Sequence, residues 1–326
     1  MTKHPDFDTL SLAGITAVIR SESMRHLLAT VERVARTHAA VLITGESGSG
    51  KELIARAIHH YSLRCTKPLV DFNCAALPEH LVESELFGYE KGAFSGADAA
   101  KPGLFELANT GTMFMDEIAE VDPKTQVKLL RVLDGVPYYR LGGQKKVSTD
   151  VRIVAATNQR LEEAVSAGKF RGDLYHRLNQ IHIHVPSLRE RPEDMVGLAE
   201  YFLRAQSERA VFSMESMQAL VQYSWPGNVR ELRNAVLKAA MHAKGFEIGL
   251  SDLPPEITGY QPAAVASGEA LSCRLDVLEQ QTILKVLSET GGHHQRAAEL
   301  LGISRRTLTR KLKSYGMATA PAPAFA

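Results

Sequence analysis

The stretch Val41-Leu42-Ile43-Thr44, followed at once by Gly45-Glu46-Ser47-Gly48-Ser49-Gly50-Lys51, limits what this chain can fold into more than any other feature. A short apolar β run leads into a glycine-rich turn, and Ile54, Ala57, Ile58 and Tyr61 then recur at helix spacing. Strand, turn and helix N-terminus together bring several backbone N–H groups and the positive helix end to one point, which suits phosphate. The glycines let the backbone approach the anion without Cβ atoms in the way, and Lys51 can reach the β and γ oxygens of a nucleotide. Glu52 stands where the general pattern has a Ser or Thr hydroxyl for Mg²⁺.

Four more β-rich runs alternate with helical patterns: Leu69 to Phe72, Thr112 to Met115, Val151 to Ala156 and Ile181 to Val185. Such alternation predicts βαβ units and a parallel sheet. The run at 112 ends in Asp116-Glu117. An acid pair at the carboxyl end of a buried strand lets the first hold Mg²⁺ through water and the second polarise an attacking water. Two surface acids capping a strand are the plain alternative; beside the loop at 45 to 51, hydrolysis is the better reading. After Pro186 the strands stop and helical patterns take over, including Val229, Leu232, Val236 and Ala239 behind the turn Trp225-Pro226-Gly227-Asn228.

At 326 residues the chain is long enough for two or three folded units. No apolar run approaches the roughly 20 residues that cross a bilayer, and the start MTKHPDFDTLSLAG lacks a secretion signal. Cys65, Cys74 and Cys273 include no close pair, which argues against a disulfide framework and for a cytoplasmic protein. A net charge of +1 would count against a nucleic-acid partner. The charge is unevenly spread, however: Cys273 to Met317 carries +4 and residues 1 to 272 sum to −3. Between them Asp252-Leu253-Pro254-Pro255 opens a stretch of small residues and prolines that reads as a linker.

The tail from Gln295 to Lys313 reads as two helices around a tight turn. Ala298 suits a close crossing, Gly302 the turn, and Ile303 and Leu308 a small core, while Ser304 caps the second helix. That helix carries Arg305, Arg306, Thr309, Arg310 and Lys313, a set suited to phosphates and guanine edges in a major groove.

These residues together resemble the bacterial enhancer-binding proteins, AAA+ ATPases that activate RNA polymerase carrying sigma-54. The resemblance covers about residues 14 to 252 and the tail. Its most diagnostic segment runs from Glu85 to Ala97 and ends in Gly92-Ala93-Phe94-Ser95-Gly96-Ala97. The family's loop here is Gly-Ala-Phe-Thr-Gly-Ala and touches sigma-54; Ser95 keeps the hydroxyl and loses a methyl. The resemblance implies that Asn73 restrains the catalytic acid, that Thr157-Asn158 is the first sensor, and that Arg171 and Arg177 reach the neighbouring subunit's nucleotide as arginine fingers. It further implies that Arg230 is the second sensor and that Gly135 to Gly143 is a second pore loop. Glu52 is itself usual in this family after the phosphate-loop lysine.

The expected architecture is an α/β, parallel-sheet P-loop AAA+ core with a helical lid and a small all-α Fis-type helix-turn-helix domain. The expected boundaries are a short extension at 1–13, the core at 14–186, the lid at 187–252, a linker at 253–272, the DNA-binding domain at 273–317 and a tail at 318–326. The resemblance implies ATP and Mg²⁺ as cofactors, with Asp116 holding the metal through water. The partners it implies are the sigma-54 polymerase holoenzyme, upstream enhancer DNA and other copies of the chain in a hexameric ring, with no membrane insertion. About 13 residues precede the ATPase region, as in phage-shock-type activators, which a separate inhibitor protein restrains. Two other readings are weighed: a DNA-binding regulator that uses nucleotide only as a switch, and a motor acting on DNA itself. The contact loop argues against both. His182 and His184 share a strand face without a third metal ligand at hand, and Cys74 reads as a small buried filler.

Overall fold

The computed structural model describes residues 2–4, 7–259, 283, 286, 290, 293–300, 303 and 305–314. The chain divides into two compact units, Met1–Pro262 and Ala263–Ala326. In the first, five parallel strands lie in the order Ile181–His184, Val41–Thr44, Arg152–Thr157, Thr112–Asp116, Leu69–Asn73. The five expected runs are thus present, each displaced at an end by a residue or less. The middle strands are apolar almost throughout because the sheet is covered on both faces. Successive side chains alternate between two cores. Leu42, Met113, Met115, Ile153 and Ala155 pack with Phe87, Phe105 and Leu129. Val41, Ile43, Phe114, Val154 and Ala156 pack on the other face with Ile54 and Ile58 of the helix Lys51–His60.

The strand register decides where the chemistry sits. Thr157 aligns with Thr44, and Asn73 with Asp116. The phosphate loop, the acid pair, Asn158 and Asn73 therefore leave the sheet at one edge, outside the carboxyl ends of the strands, where open α/β sheets bind ligands.

Three expectations are corrected. The segment before residue 14 is no mere extension, since strands Thr2–His4, Phe7–Leu12 and Ile15–Ile19 form an antiparallel sheet and Leu12 is wholly buried in the second core. Too few apolar residues precede Ala13 for periodicity to reveal this. Strands do not stop at 186, because Val211–Phe212 pairs in parallel with Glu247–Ile248 inside the helical part. Nor does packing end at 252: Leu253 and Ile257 are buried in the core formed by helices Pro192–Gln206, Met214–Gln222 and Asn228–His242. The prolines at 254 and 255 set the start of one more short helix, Pro255–Thr258, rather than a loose linker.

Trp225 anchors that helical core. It is 1% exposed, and its indole N–H donates to Leu220 O at 2.9 Å. Trp225→Ala is expected to cost about 3–5 kcal/mol, the range for deleting a buried large aromatic. Melting followed by circular dichroism should then start roughly 6–20 °C lower; a fall of under about 2 °C would show that the lid does not depend on this ring.

In the second unit, helices His294–Leu300 and Arg305–Ser314 enclose buried Ile283, Ala297, Ala298, Leu308 and Leu312, with Ile303 half-buried. Ala298, Ile303 and Leu308 fill the roles expected of them. No described helix is long and apolar enough to cross a membrane.

Candidate nucleotide site and contact loops

The turn at 45–51 is built as a backbone cradle. Gly48 and Gly50 take φ of 73° and 105°, which only glycine adopts freely. Gly48 is required twice over, because a Cβ there would meet Gly227 O at 2.5 Å. Lys51 is buried at the helix start, its Nζ donating to Gly45 O at 3.0 Å and Glu46 O at 3.3 Å. Ser49 Oγ is buried without a partner among the described residues, and Ser49 O accepts from the buried guanidinium of Arg191. Glu46 accepts from Arg189 at 2.9 Å and from Asn228 at 3.0 Å. Those two bonds, Arg189's first, hold its carboxyl below the usual carboxylate range. Glu52 lines the same cleft while its carboxylate accepts from Arg56 Nε at 2.9 Å.

Asp116 and Glu117 face this turn from the end of their strand. Glu117 Oε1 lies 3.7 Å from Lys51 Nζ, and Glu117 Oε2 accepts from Asn158 N at 3.2 Å. Asp116 Oδ1 accepts from Glu117 N at 3.1 Å. Glu117 is held at φ 52°, ψ 51°, a left-handed conformation that costs a non-glycine residue about 1–3 kcal/mol and collects at functional sites. Asn158 thus reaches the acid through its backbone. Asn73 stands beside Asp116 with its Oδ1 accepting from Ala75 N at 2.8 Å. Burial, with the nearby Asp116 and Glu117 charges, pushes the Cys74 thiol up to about 12, as befits an inert filler.

The cleft between these groups has a volume of about 390 Å³. One wall is polar, from the phosphate loop, the acid pair and Arg230; the other is apolar, from Val18, Met24, Leu198, Tyr201 and Phe202. Phosphate-binding backbone and apolar lining in one cleft suit a nucleotide, with its charged phosphates and its apolar base. The apolar wall and Arg191 were not legible in the sequence: they come from the N-terminal strand and the lid, and no local pattern marks them.

Arg230 Nη1 donates to Ser47 Oγ at 3.0 Å, so it stands at the phosphate loop. Arg171 and Arg177 are instead half exposed on the same subunit's surface. Arg171 donates to Asp173 at 3.0 and 2.7 Å, and Arg177 donates to Leu133 O at 3.0 Å and pairs with Asp134 at 3.1 Å.

The loop Gly92–Ala97 is closed by Gly92 N donating to Ala97 O at 2.9 Å and Ala97 N to Phe94 O at 3.0 Å. Ser95 at its tip is exposed. Phe94 is 42% exposed, its ring edge-on to Tyr89 at 4.9 Å. The second loop is zipped to the first, with Glu90 N donating to Leu141 O at 3.0 Å and Leu141 N to Gly88 O at 2.9 Å. Arg140 ties both to the core by donating to Glu106 at 2.8 and 2.7 Å and to Glu90 at 3.1 Å. In the tail, Arg305 is exposed, and Thr309 Oγ1 donates to Arg305 O at 2.9 Å. Ser304 and the side chains of Arg306, Arg310 and Lys313 lie outside the described residues.

Three family models match the chain: the Sigma-54 interaction domain at residues 17–184, the AAA+ ATPase lid domain at 189–270, and Bacterial regulatory protein, Fis family, at 274–315. Transcriptional regulatory protein ZraR of Klebsiella oxytoca is 49% identical over 297 residues, which are 90% of this chain and 67% of that protein. DNA-binding transcriptional regulator NtrC of Escherichia coli (strain K12) is 43% identical over a gapped alignment of 338 positions that covers 94% of this chain and 72% of that protein. Among solved structures, NtrX from Brucella abortus in complex with ADP superposes with a TM-score of 0.70 at 37% identity, covering 92% of this chain and 70% of that one.

Proposed function

The chain belongs to the sigma-54 activator family, whose members join an AAA+ ATPase, a lid and a Fis-type DNA-binding domain, and from that premise we propose how its residues divide the work. It is an ATPase that activates transcription by sigma-54 RNA polymerase and binds DNA through its tail. Residues 45–51 cradle the nucleotide's phosphates, with Lys51 on the β and γ oxygens. Glu117 orients and deprotonates the attacking water. Asp116 would hold Mg²⁺ through water: the metal is hard, keeps much of its hydration and takes one or two carboxylates plus substrate phosphates, and the half-buried Asp116 supplies such a donor at the cleft. When bound, the metal neutralises charge on the β and γ oxygens. Arg230 senses the phosphates from the lid.

Asn73 restrains Glu117 until the γ-phosphate is present, and Thr157-Asn158 acts as the first sensor. Arg171 and Arg177 serve the neighbouring subunit. Such head-to-tail contacts must close into a ring or run on as a filament, and a hexameric ring is the assembly we assign. Within it the loop at 92–97 presses on sigma-54 through Phe94 and Ser95, opening the closed promoter complex. Ser304, Arg305, Arg306, Thr309, Arg310 and Lys313 contact upstream DNA. One copy of a +4 tail binds weakly and loses affinity with salt; several copies in one ring add avidity. The core occupies residues up to 186, the lid runs from 187 to about 259, and the DNA-binding domain spans 273–317.

One observation carries the reading: an intact phosphate loop and acid pair share a core with a loop pair whose first member exposes Phe94 and Ser95 at its tip. Open-complex formation by sigma-54 polymerase, assayed with ATP and with a non-hydrolysable analogue, tests it. Activation should need both sigma-54 and hydrolysis. Activation with the analogue would return the nucleotide-switch reading. Ser95→Ala should leave ATP turnover unchanged and lower activation about two- to tenfold, the range for one lost hydrogen bond; unchanged promoter opening removes Ser95 from the contact.

A further inference from the structure

Asn228 has no role in the scheme above, yet it stands where three distant segments meet. Its side chain is completely buried. Nδ2 donates to Glu46 Oε2 at 3.0 Å and to Ser47 O at 3.1 Å, and Oδ1 accepts from Leu188 N at 2.7 Å. One amide thus joins the phosphate loop, the turn that enters the lid and the helix Asn228–His242. Around it Val229 N donates to Gly48 O at 3.0 Å, and Arg189 grips the same Glu46 carboxylate. Arg230, two residues farther on, reaches Ser47 Oγ.

We propose that Asn228 is a positioning residue for ATP hydrolysis, locking lid to phosphate loop so that Arg230 is held at the phosphates before nucleotide arrives. The proposal rests on the assignment of residues 45–51 as the phosphate site. An amide is the group that fits. Two acceptors on the half-exposed loop need a donor and the buried Leu188 N–H needs an acceptor, and because the amide itself is fully buried, a bond its atoms fail to make costs that group its desolvation. Aspartate offers no donor to Glu46 or to the Ser47 carbonyl. The backbone at φ 51° suits Asn and is free for Gly. Asn228→Gly therefore removes the amide and leaves the turn.

The test is a double-mutant cycle in the full chain, using steady-state ATP hydrolysis with thermal melting as the check on folding. Asn228→Gly is expected to lower kcat/KM about 10- to 100-fold, as misplacing a reacting group by an ångström does. Arg230→Ala should lose a similar factor, and the double variant should fall no more than about threefold below the worse single, because both changes remove one device. Losses that multiply, or an Asn228→Gly chain within about twofold of wild type, overturn the proposal. Asn228→Asp keeps size and loses the donors, so full activity in that variant overturns it as well. If Asn228→Gly melts out, Glu46→Ala breaks the junction from the exposed loop side and is cycled with Arg230→Ala under the same criterion. Lys51→Ala separates the two levels. Normal hydrolysis by that variant would remove the phosphate-site assignment itself, whereas its expected loss beside an unaffected Asn228→Gly removes the lock alone.

Discussion

Glu117→Ala should bind ATP with near wild-type affinity and hydrolyse it at least about a hundredfold more slowly, the contribution of a general base. The geometry separates the two effects. In the proposed site affinity comes from the backbone cradle, Lys51 and the apolar lining, none of which needs the Glu117 carboxylate. Turnover needs a base aimed at the γ-phosphate, and Glu117 is kept in a costly left-handed backbone with one oxygen on Asn158 N and the other near Lys51. A strained acid retained at the mouth of a phosphate cradle is better explained by chemistry than by packing. Glu117→Gln refines the test, since it still accepts from Asn158 N but takes no proton from water. Phosphate release and titration with a fluorescent ATP analogue measure the two quantities. Turnover by either variant at the wild-type rate would take Glu117 out of the mechanism.

Arg177→Ala should lower turnover roughly a thousandfold or more, the scale of an arginine delivered to a developing phosphoryl charge. Arg171→Ala should do likewise. In a single subunit both arginines are engaged with their own chain's Asp134 and Asp173. Those pairs are nearly half exposed, and an exposed pair contributes about 0.2–1 kcal/mol. Loss of so weak a contact cannot account for a thousandfold effect, so a deficit of that size must arise at a neighbour's site. Mixing decides the matter. In rings assembled from Arg177→Ala and Glu117→Ala subunits, some interfaces combine an intact Glu117 with an intact Arg177 from next door. Hydrolysis should therefore reappear in the mixture, although each variant alone is inactive. A mixture as dead as its parts would sink the assignment in trans.

How far these sites were legible from residues alone varied with the distance the information had to travel. The phosphate loop is a strand, a turn and a helix start within 20 residues, and its spacing already states its chemistry. Asp116-Glu117 needed only the strand before it. The contact loop was recognisable from contiguous residues, but its zippering to the second loop, through Glu90, Leu141 and Arg140, joins segments about fifty residues apart. Leu12 escaped notice because a lone short run gives periodicity too few repeats. The lid boundary slipped because prolines at 254 and 255 mark a helix start as readily as a linker.

By itself, then, the sequence determined what is local: the alternation that makes a parallel sheet, the glycine-rich turn between strand and helix, the acid pair at a strand end, the loop at 92–97 and the second helix of the tail. Only the tertiary structure decided what is assembled across the chain. Strand register brings Asn73, Asp116 and Thr157-Asn158 to one edge. The N-terminal strand and lid supply apolar lining to the same cleft. One buried amide at 228 fastens Glu46, 182 residues away, to the lid. The physical reason is the same in each case. Periodicity and turn chemistry act between neighbours, whereas a buried polar group finds its partners wherever packing has placed them, and no spacing along the chain records that place.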